Sequence, residues 1–235
     1  MTGTILNIVT VVIGGLLGTV LGSRLSDQLR KTVVSGLGLF TLAYGIRLFI
    51  KTQNPLVIVG SLLIGALLGE WWRIEAGLQS LGGWLEKKFI KNGKGGEDRF
   101  VKGFFTASLV FCIGPMTILG SIQDGLTGDY NTLAIKAILD GFAALAFASS
   151  LGVGVVFSAL VILVYQGGIS LLASQVNAII TPVMMDEMSA VGGVMMISIA
   201  VSNLLELRPI RTGNFLPALI VAPIITAIFM SLNLY

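Results

Sequence analysis

Apolar residues run in long blocks along this chain, and polar residues gather between the blocks. The blocks cover roughly residues 3–22, 33–50, 56–69, 101–122, 133–148, 153–173, 188–205 and 214–234. A helix needs about 20 apolar residues to cross the hydrocarbon core, and tilt or local thinning accommodates the shorter ones. The pattern predicts an all-α integral membrane protein with about eight transmembrane helices in a single polytopic domain, 1–235. The weakest boundary is the short turn 149–152 between the fifth and sixth blocks. Were it to fail, 133–173 would be one long bent helix, and 113–129 a re-entrant segment beside seven spans.

Charge fixes the expected topology. Twelve of the fifteen Lys and Arg residues lie between blocks one and two, three and four, and seven and eight, counting Lys102 at the very start of the fourth block. Basic loops stay cytoplasmic, so both termini are expected outside. The opposite loops hold Arg47 with Lys51, Asp124 with Asp129, and Asp186 with Glu187. No basic segment precedes the first block, which reads as a retained span rather than a signal peptide. Arg47, Glu206 and Arg208 read as snorkelling anchors at span ends.

Residues 71–100 differ in kind. Ile74, Leu78, Leu81, Leu85 and Phe89 recur at helical spacing, with Glu75, Gln79, Glu86, Lys87 and Lys88 between them. An apolar stripe beside a basic face predicts an interfacial amphipathic helix over 74–91, with Trp71, Trp72 and Trp84 at headgroup level. Residues 92–97 then form a Gly- and Lys-rich linker.

Small residues repeat every fourth position at Gly14, Gly18 and Gly22 and again at Ser61, Gly65 and Gly69. Such faces let helix backbones approach closely in lipid. They are expected to pack within the chain, with a homodimer as the alternative use. A weak internal echo pairs Gly14-Gly15 with Gly167-Gly168, Ser35-Gly36 with Val191-Gly192, and Asn54-Pro55-Leu56 with Asn214-Phe215-Leu216. Under the eight-span map these segments run in opposite senses, a 3+2+3 inverted-topology repeat of the kind secondary transporters use.

Composition narrows the chemistry. Residues AVILMFWYC make up 54% of the chain and charged residues 11%, so the net charge of +3 reflects cytoplasmic loops, not a nucleic-acid footprint. The chain has no His and one Cys, Cys112. That leaves little for a zinc site, a haem ligand or a His-activated nucleophile, and no metal or cofactor is expected. Residues 126–129 are the nearest approach to the Gly-x-Gly-Asp motif of intramembrane aspartyl proteases, and they lack its first glycine. No catalytic residue is expected.

The candidate chemistry lies in polar groups placed in lipid. Gly114-Pro115 falls inside an apolar block, where proline removes a helix hydrogen bond, and a broken helix offers backbone groups to an ion or solute. Gln123, Asp124 and Asp129 follow it. Lys136 and Asp140 stand one helical turn apart on one face, with Asp140 deeper than a carboxylate is placed without a partner or a wet cavity. Asn7, Gln123, Gln166 and Asn203 are expected to make interhelical hydrogen bonds. Pro217 and Pro223 predict a second interrupted helix in the last span.

Gly69-Glu70-Trp71-Trp72, then Gly114-Pro115-Met116, then Gly120-Ser121-Ile122-Gln123-Asp124-Gly125 through Gly128-Asp129, and finally Lys136 and Leu139-Asp140-Gly141 follow in order. With this order the chain resembles the bacterial membrane-protein family called domain of unknown function 554, the YdfK/YqgA-like proteins. The likeness spans the whole chain and is most specific over 112–150. It implies a bacterial inner-membrane protein and no particular activity. The residues themselves lead to an expectation of transport of a small solute or ion. Gly114, Pro115, Gln123, Asp124, Asp129, Lys136 and Asp140 would line the path, with Asp140 as coupling carboxylate. A passive channel and a non-transporting, lipid-interacting scaffold are the alternatives.

Overall fold

The computed structural model describes residues 1–89 and 97–232, and these are helical with short connections. The helices are α1 (Thr2–Gly22), α2 (Asp27–Phe49), α3 (Pro55–Trp72), α4 (Ile74–Phe89), α5 (Glu97–Ile113), α6 (Pro115–Thr127), α7 (Asn131–Leu151), α8 (Ser158–Leu171), α9 (Ala173–Ile179), α10 (Pro182–Ile199) and α11 (Ala218–Ser231). Among the described residues seven segments are long and apolar enough to cross a membrane. The pair formed by α5 and α6, bent by 63° at its break, meets the same test when its halves are taken together. Ile5, Ile13, Leu17 and Val20 of α1 are each more than half exposed, a surface suited to lipid rather than water. The expected linker lies, up to Gly96, outside the described residues, as does the end of the last block.

The chain divides into two compact units, Met1–Leu37 with Gln79–Ala178 and Gly38–Leu78 with Ile179–Tyr235. In the first, α1 and α7 pack along their length through glycine. A Cβ on Gly14, Gly18 or Gly22 would overlap the carbonyl oxygen of Gly141, Leu145 or Ser149 respectively. Both series ascend together, so the two helices run parallel. At one end of α1, Gly3 and Gly120 both touch Leu133, and the Gly3 amide bonds Asp124. At the other end Gly22 meets Ser149, and the neighbouring Ser150 carbonyl accepts from Arg99 Nε at 3.0 Å. The pair α5–α6 therefore starts near one end of α1 and finishes near the other. The bend between its halves fits a broken span or a re-entrant segment.

The expected turn at 149–152 shrinks to a single residue. Ser149, Ser150 and Leu151 complete α7, and Gly152 alone turns the chain at φ 84° before one 3-10 turn, Val153–Phe157, leads into α8. Glycine takes that left-handed backbone without the Cβ clash that any other residue meets. The second half of α4 belongs to this unit. Its Leu85 joins Phe100 and Phe104 in a buried cluster, and Gly82 lets α5 come close. Trp84 remains exposed, with the Lys88 ammonium 4.7 Å from its ring centre.

In the second unit the other small face is used. Gly65 lies against Ala218 and Gly69 against Asn214, so α3 and α11 run antiparallel. Gly45 and Gly193 approach each other reciprocally where α2 meets α10. Both predicted small-residue faces are thus covered within the chain. Trp71 and Trp72, at the end of α3, are exposed. Arg211 grips both oxygens of Glu70 at 2.9 Å, and Glu75 Oε2 accepts the Gly213 amide at 2.9 Å. Burial raises the Glu75 carboxyl above its usual range, against the lowering effects of the Gly213 hydrogen bond and Arg211. Pro217 stands just before α11 and Pro223 within it, after a 3-10 turn at Thr212–Phe215.

Candidate functional site

Four-residue spacing puts Lys136 and Asp140 on one face of α7, where they form an ion pair. Asp140 is nine residues into α7, about 13 Å along a helix that rises ~1.5 Å per residue, and so near its midpoint. The Lys136 side chain is 6% exposed and that of Asp140 13%. A charge pair this far from either helix end is costly unless other polar groups complete it.

Those groups come from α1 and α8. Asn7 Nδ2 donates to Asp140 Oδ2 at 3.0 Å and to Gln166 Oε1 at 3.0 Å. Gln166 Nε2 donates in turn to Thr4 Oγ1 at 3.2 Å. Thr4, Asn7 and Gln166 are all fully buried. The parallel seating of α1 on α7 is what brings Asn7 to the carboxylate. Asn7 spends both amide donors in this way, and its own Oδ1 is buried without a hydrogen-bond partner. The network therefore combines several side-chain oxygens with a resident ammonium.

The break between α5 and α6 is sealed by local hydroxyls. Gly114 is extended at φ −72° and ψ 145°, and Pro115 opens α6. The Phe111 carbonyl, freed by the break, accepts from Thr117 Oγ1 at 3.1 Å, and the Thr117 carbonyl accepts from Ser121. Cys112, two residues before the break, is buried.

The remaining expected residues lie elsewhere. Asp124 is buried, and its Oδ2 accepts the Gly3 amide at 3.1 Å, placing a carboxylate at the positive end of α1. Gln123 Oε1 accepts from Thr132 Oγ1 at 2.7 Å, tying α6 to the start of α7. Asp129 is exposed in the turn before α7, where its Oδ1 accepts the Asn131 amide at 3.1 Å. Of the expected residues the structure pairs Lys136 with Asp140, while Gly114 and Pro115 form the α5–α6 break and Gln123, Asp124 and Asp129 hold helix ends.

Two polar residues escaped sequence reasoning. Thr4 completes the network, and nothing in an isolated threonine near a span end signals that. Glu187 reads as a loop residue before an apolar block, yet it is fully buried inside α10. Thr181-Pro182 was the available signal, since threonine caps α10 by accepting the Met184 amide and proline follows in its first turn. Among the described residues no three His, Cys, Asp or Glu side chains gather as a metal site.

The profile of the family described as "Protein of unknown function (DUF554)" matches residues 2–227. The "Uncharacterized membrane protein YdfK" of Bacillus subtilis (strain 168) is 30% identical over 238 residues, covering 100% of this chain and 99% of the relative. The "Uncharacterized protein YqgA" of Escherichia coli (strain K12) is 32% identical over 221 residues, covering 94% of each. No solved structure matches the chain. With apolar helices throughout and relatives aligned almost end to end, the chain belongs to the DUF554 family and is a membrane protein.

Proposed function

We propose that this protein is a multi-pass transporter of a small solute or ion in the bacterial inner membrane, with its termini outside and Asp140 as the coupling carboxylate. The observation that carries this reading is the carboxylate at the midpoint of α7, bonded by polar side chains of α1 and held in an ion pair. Ionisable groups at such depth are costly in lipid and are placed where ions and substrates pass, which makes this carboxylate a functional group by default. The interrupted span α5–α6 supplies the non-helical backbone that such paths use.

An inverted repeat supports the same reading. The sequence offset that carries Gly14 to Gly167 also carries α2 onto α10 and Gly65 onto Ala218, its own contact partner. An antiparallel contact between α3 and α11 is what a two-fold axis in the membrane plane produces.

The test is charge movement in liposomes holding the purified full chain, with gradients of proton, sodium, potassium and common anions imposed one at a time. Wild type is expected to respond to one ion and Asp140→Asn to none. Asp124→Asn is expected to keep the response, because an amide oxygen still accepts the Gly3 amide at the start of α1. No response to any ion from folded, oriented wild type would end the transport reading.

Cys112 offers an independent check, being the one cysteine in the sequence and buried two residues before the α5–α6 break. A small, water-soluble, positively charged thiol reagent is expected to modify it slowly at rest and faster while the active gradient is applied. Equal rates with and without the gradient would mean that no water-filled path opens there.

A further inference from the structure

We infer that Asp140 is the binding group for a small monovalent cation and that Lys136 is a built-in competitor which occupies the carboxylate when the cation is absent. The inference rests on the transport reading and names the class of ion for it.

Three features of the site lead here. One is charge. A single carboxylate, neutralised by a single ammonium, can exchange that ammonium for one positive charge without leaving a net charge in lipid. A divalent ion would need further carboxylates, and Asp124 is engaged at the start of α1. Another is the unused acceptor. Asn7 Oδ1 is buried and unpartnered on the residue whose amide touches Asp140, although buried oxygens are ordinarily bonded. An oxygen left open beside a carboxylate and the Gln166 carbonyl is what a dehydrating cation requires.

The last is the reach of the lysine. Lys136 lies five residues into α7, about 7–8 Å from its start at ~1.5 Å per residue. Its flexible stem can carry the ammonium outward to the headgroups, as lysines near span ends do, with no proton transfer needed. Arginine at that position would clamp the carboxylate through two bonds, whereas lysine is a single point charge that releases it more readily.

Cation binding to folded protein raises its unfolding temperature, so thermal unfolding of the detergent-purified full chain reads the site directly. Sodium, potassium and lithium chloride would each be titrated against choline chloride at equal ionic strength. Wild type is expected to be stabilised by one of these cations over choline. Lys136→Met removes the competitor and is expected to lower the concentration needed by roughly tenfold or more, the scale on which close buried charge pairs act. Asn7→Leu is expected to raise it, and Asp140→Asn to abolish the effect. Asn7→Leu and Asp140→Asn keep the test decisive should Lys136→Met not fold.

A purely structural ion pair predicts a different pattern: all variants less stable, and none changed in its response to cations relative to choline. That result overturns the proposal. The two readings fail separately. Cation-specific, Asp140-dependent stabilisation with no charge movement in liposomes would remove transport and keep the site. Charge movement in wild type, with cation stabilisation indifferent to Lys136, Asn7 and Asp140, would remove this site and keep transport.

Discussion

Leucine in place of Gly18 is expected to prevent α1 from seating on α7 and to leave little folded protein. Even a Cβ at Gly18 would overlap the Leu145 carbonyl oxygen, which belongs to backbone and cannot rotate away. Overfilling a packed core costs about 1–3 kcal/mol when side chains can shift, and a clash with helical backbone exceeds that range. The loss propagates, because the same seating places Gly14 on Gly141 and Asn7 on Asp140. Alanine at Gly18 is expected to lower the unfolding temperature by less. Gly36→Ala is the control: a Cβ there meets nothing within 4 Å, and alanine favours a helix by about 1 kcal/mol over glycine. Monodisperse yield and thermal unfolding in detergent are the measurements. A Gly18→Leu protein that purifies and unfolds like wild type would show that the α1–α7 contact does not hold the fold. A loss of dimer with an intact monomer would instead assign this face to a second copy.

That expectation also marks what could and could not be read from the chain. The blocks were legible because lipid leaves no alternative: an apolar run near spanning length must satisfy its own backbone, and a helix does so. The Lys136–Asp140 pair was legible because its partners sit one turn apart on one helix. Its completion by Asn7, Gln166 and Thr4 was not, since the parallel pairing of α1 with α7 is a tertiary choice. Small residues at every fourth position announce a close contact and say nothing of which helix fills it. Asp124 and Asp140 are both carboxylates near the end or within an apolar block, and only the fold separates the one at the start of α1 from the one in the network. The 3-10 turn after Gly152 was hidden because its residues are as apolar as the helix it feeds.

Alanine at Glu187 is expected to give the second large loss, on the order of 2–3 kcal/mol, the scale of losing hydrogen bonds to a buried charged acceptor. Glu187 Oε2 accepts from Thr52 Oγ1 at 2.6 Å, while Oε1 accepts from the Gln53 amide at 2.8 Å and the Asn54 amide at 3.1 Å. These three residues link α2 to α3, and Asn54 in turn caps α3 through the Leu56 amide. One carboxyl group on α10 thus supplies acceptors for the end of one span and shapes the start of the next. The three donors are only part-buried, so water takes up some of what each loses, and they share one cause, so their costs do not simply add. Glutamine keeps one oxygen but turns an amide donor toward groups that already donate, so Glu187→Gln is expected to fall between wild type and alanine. Thermal unfolding in detergent gives the order. Hydrogen exchange gives the location, with the Gln53 and Asn54 amides losing protection in both variants while the α1–α7 contact keeps its own. If Glu187→Ala unfolds at the wild-type temperature and those two amides still exchange slowly, the α2–α3 link is held by its own turn, and the buried glutamate must be explained by something other than the fold.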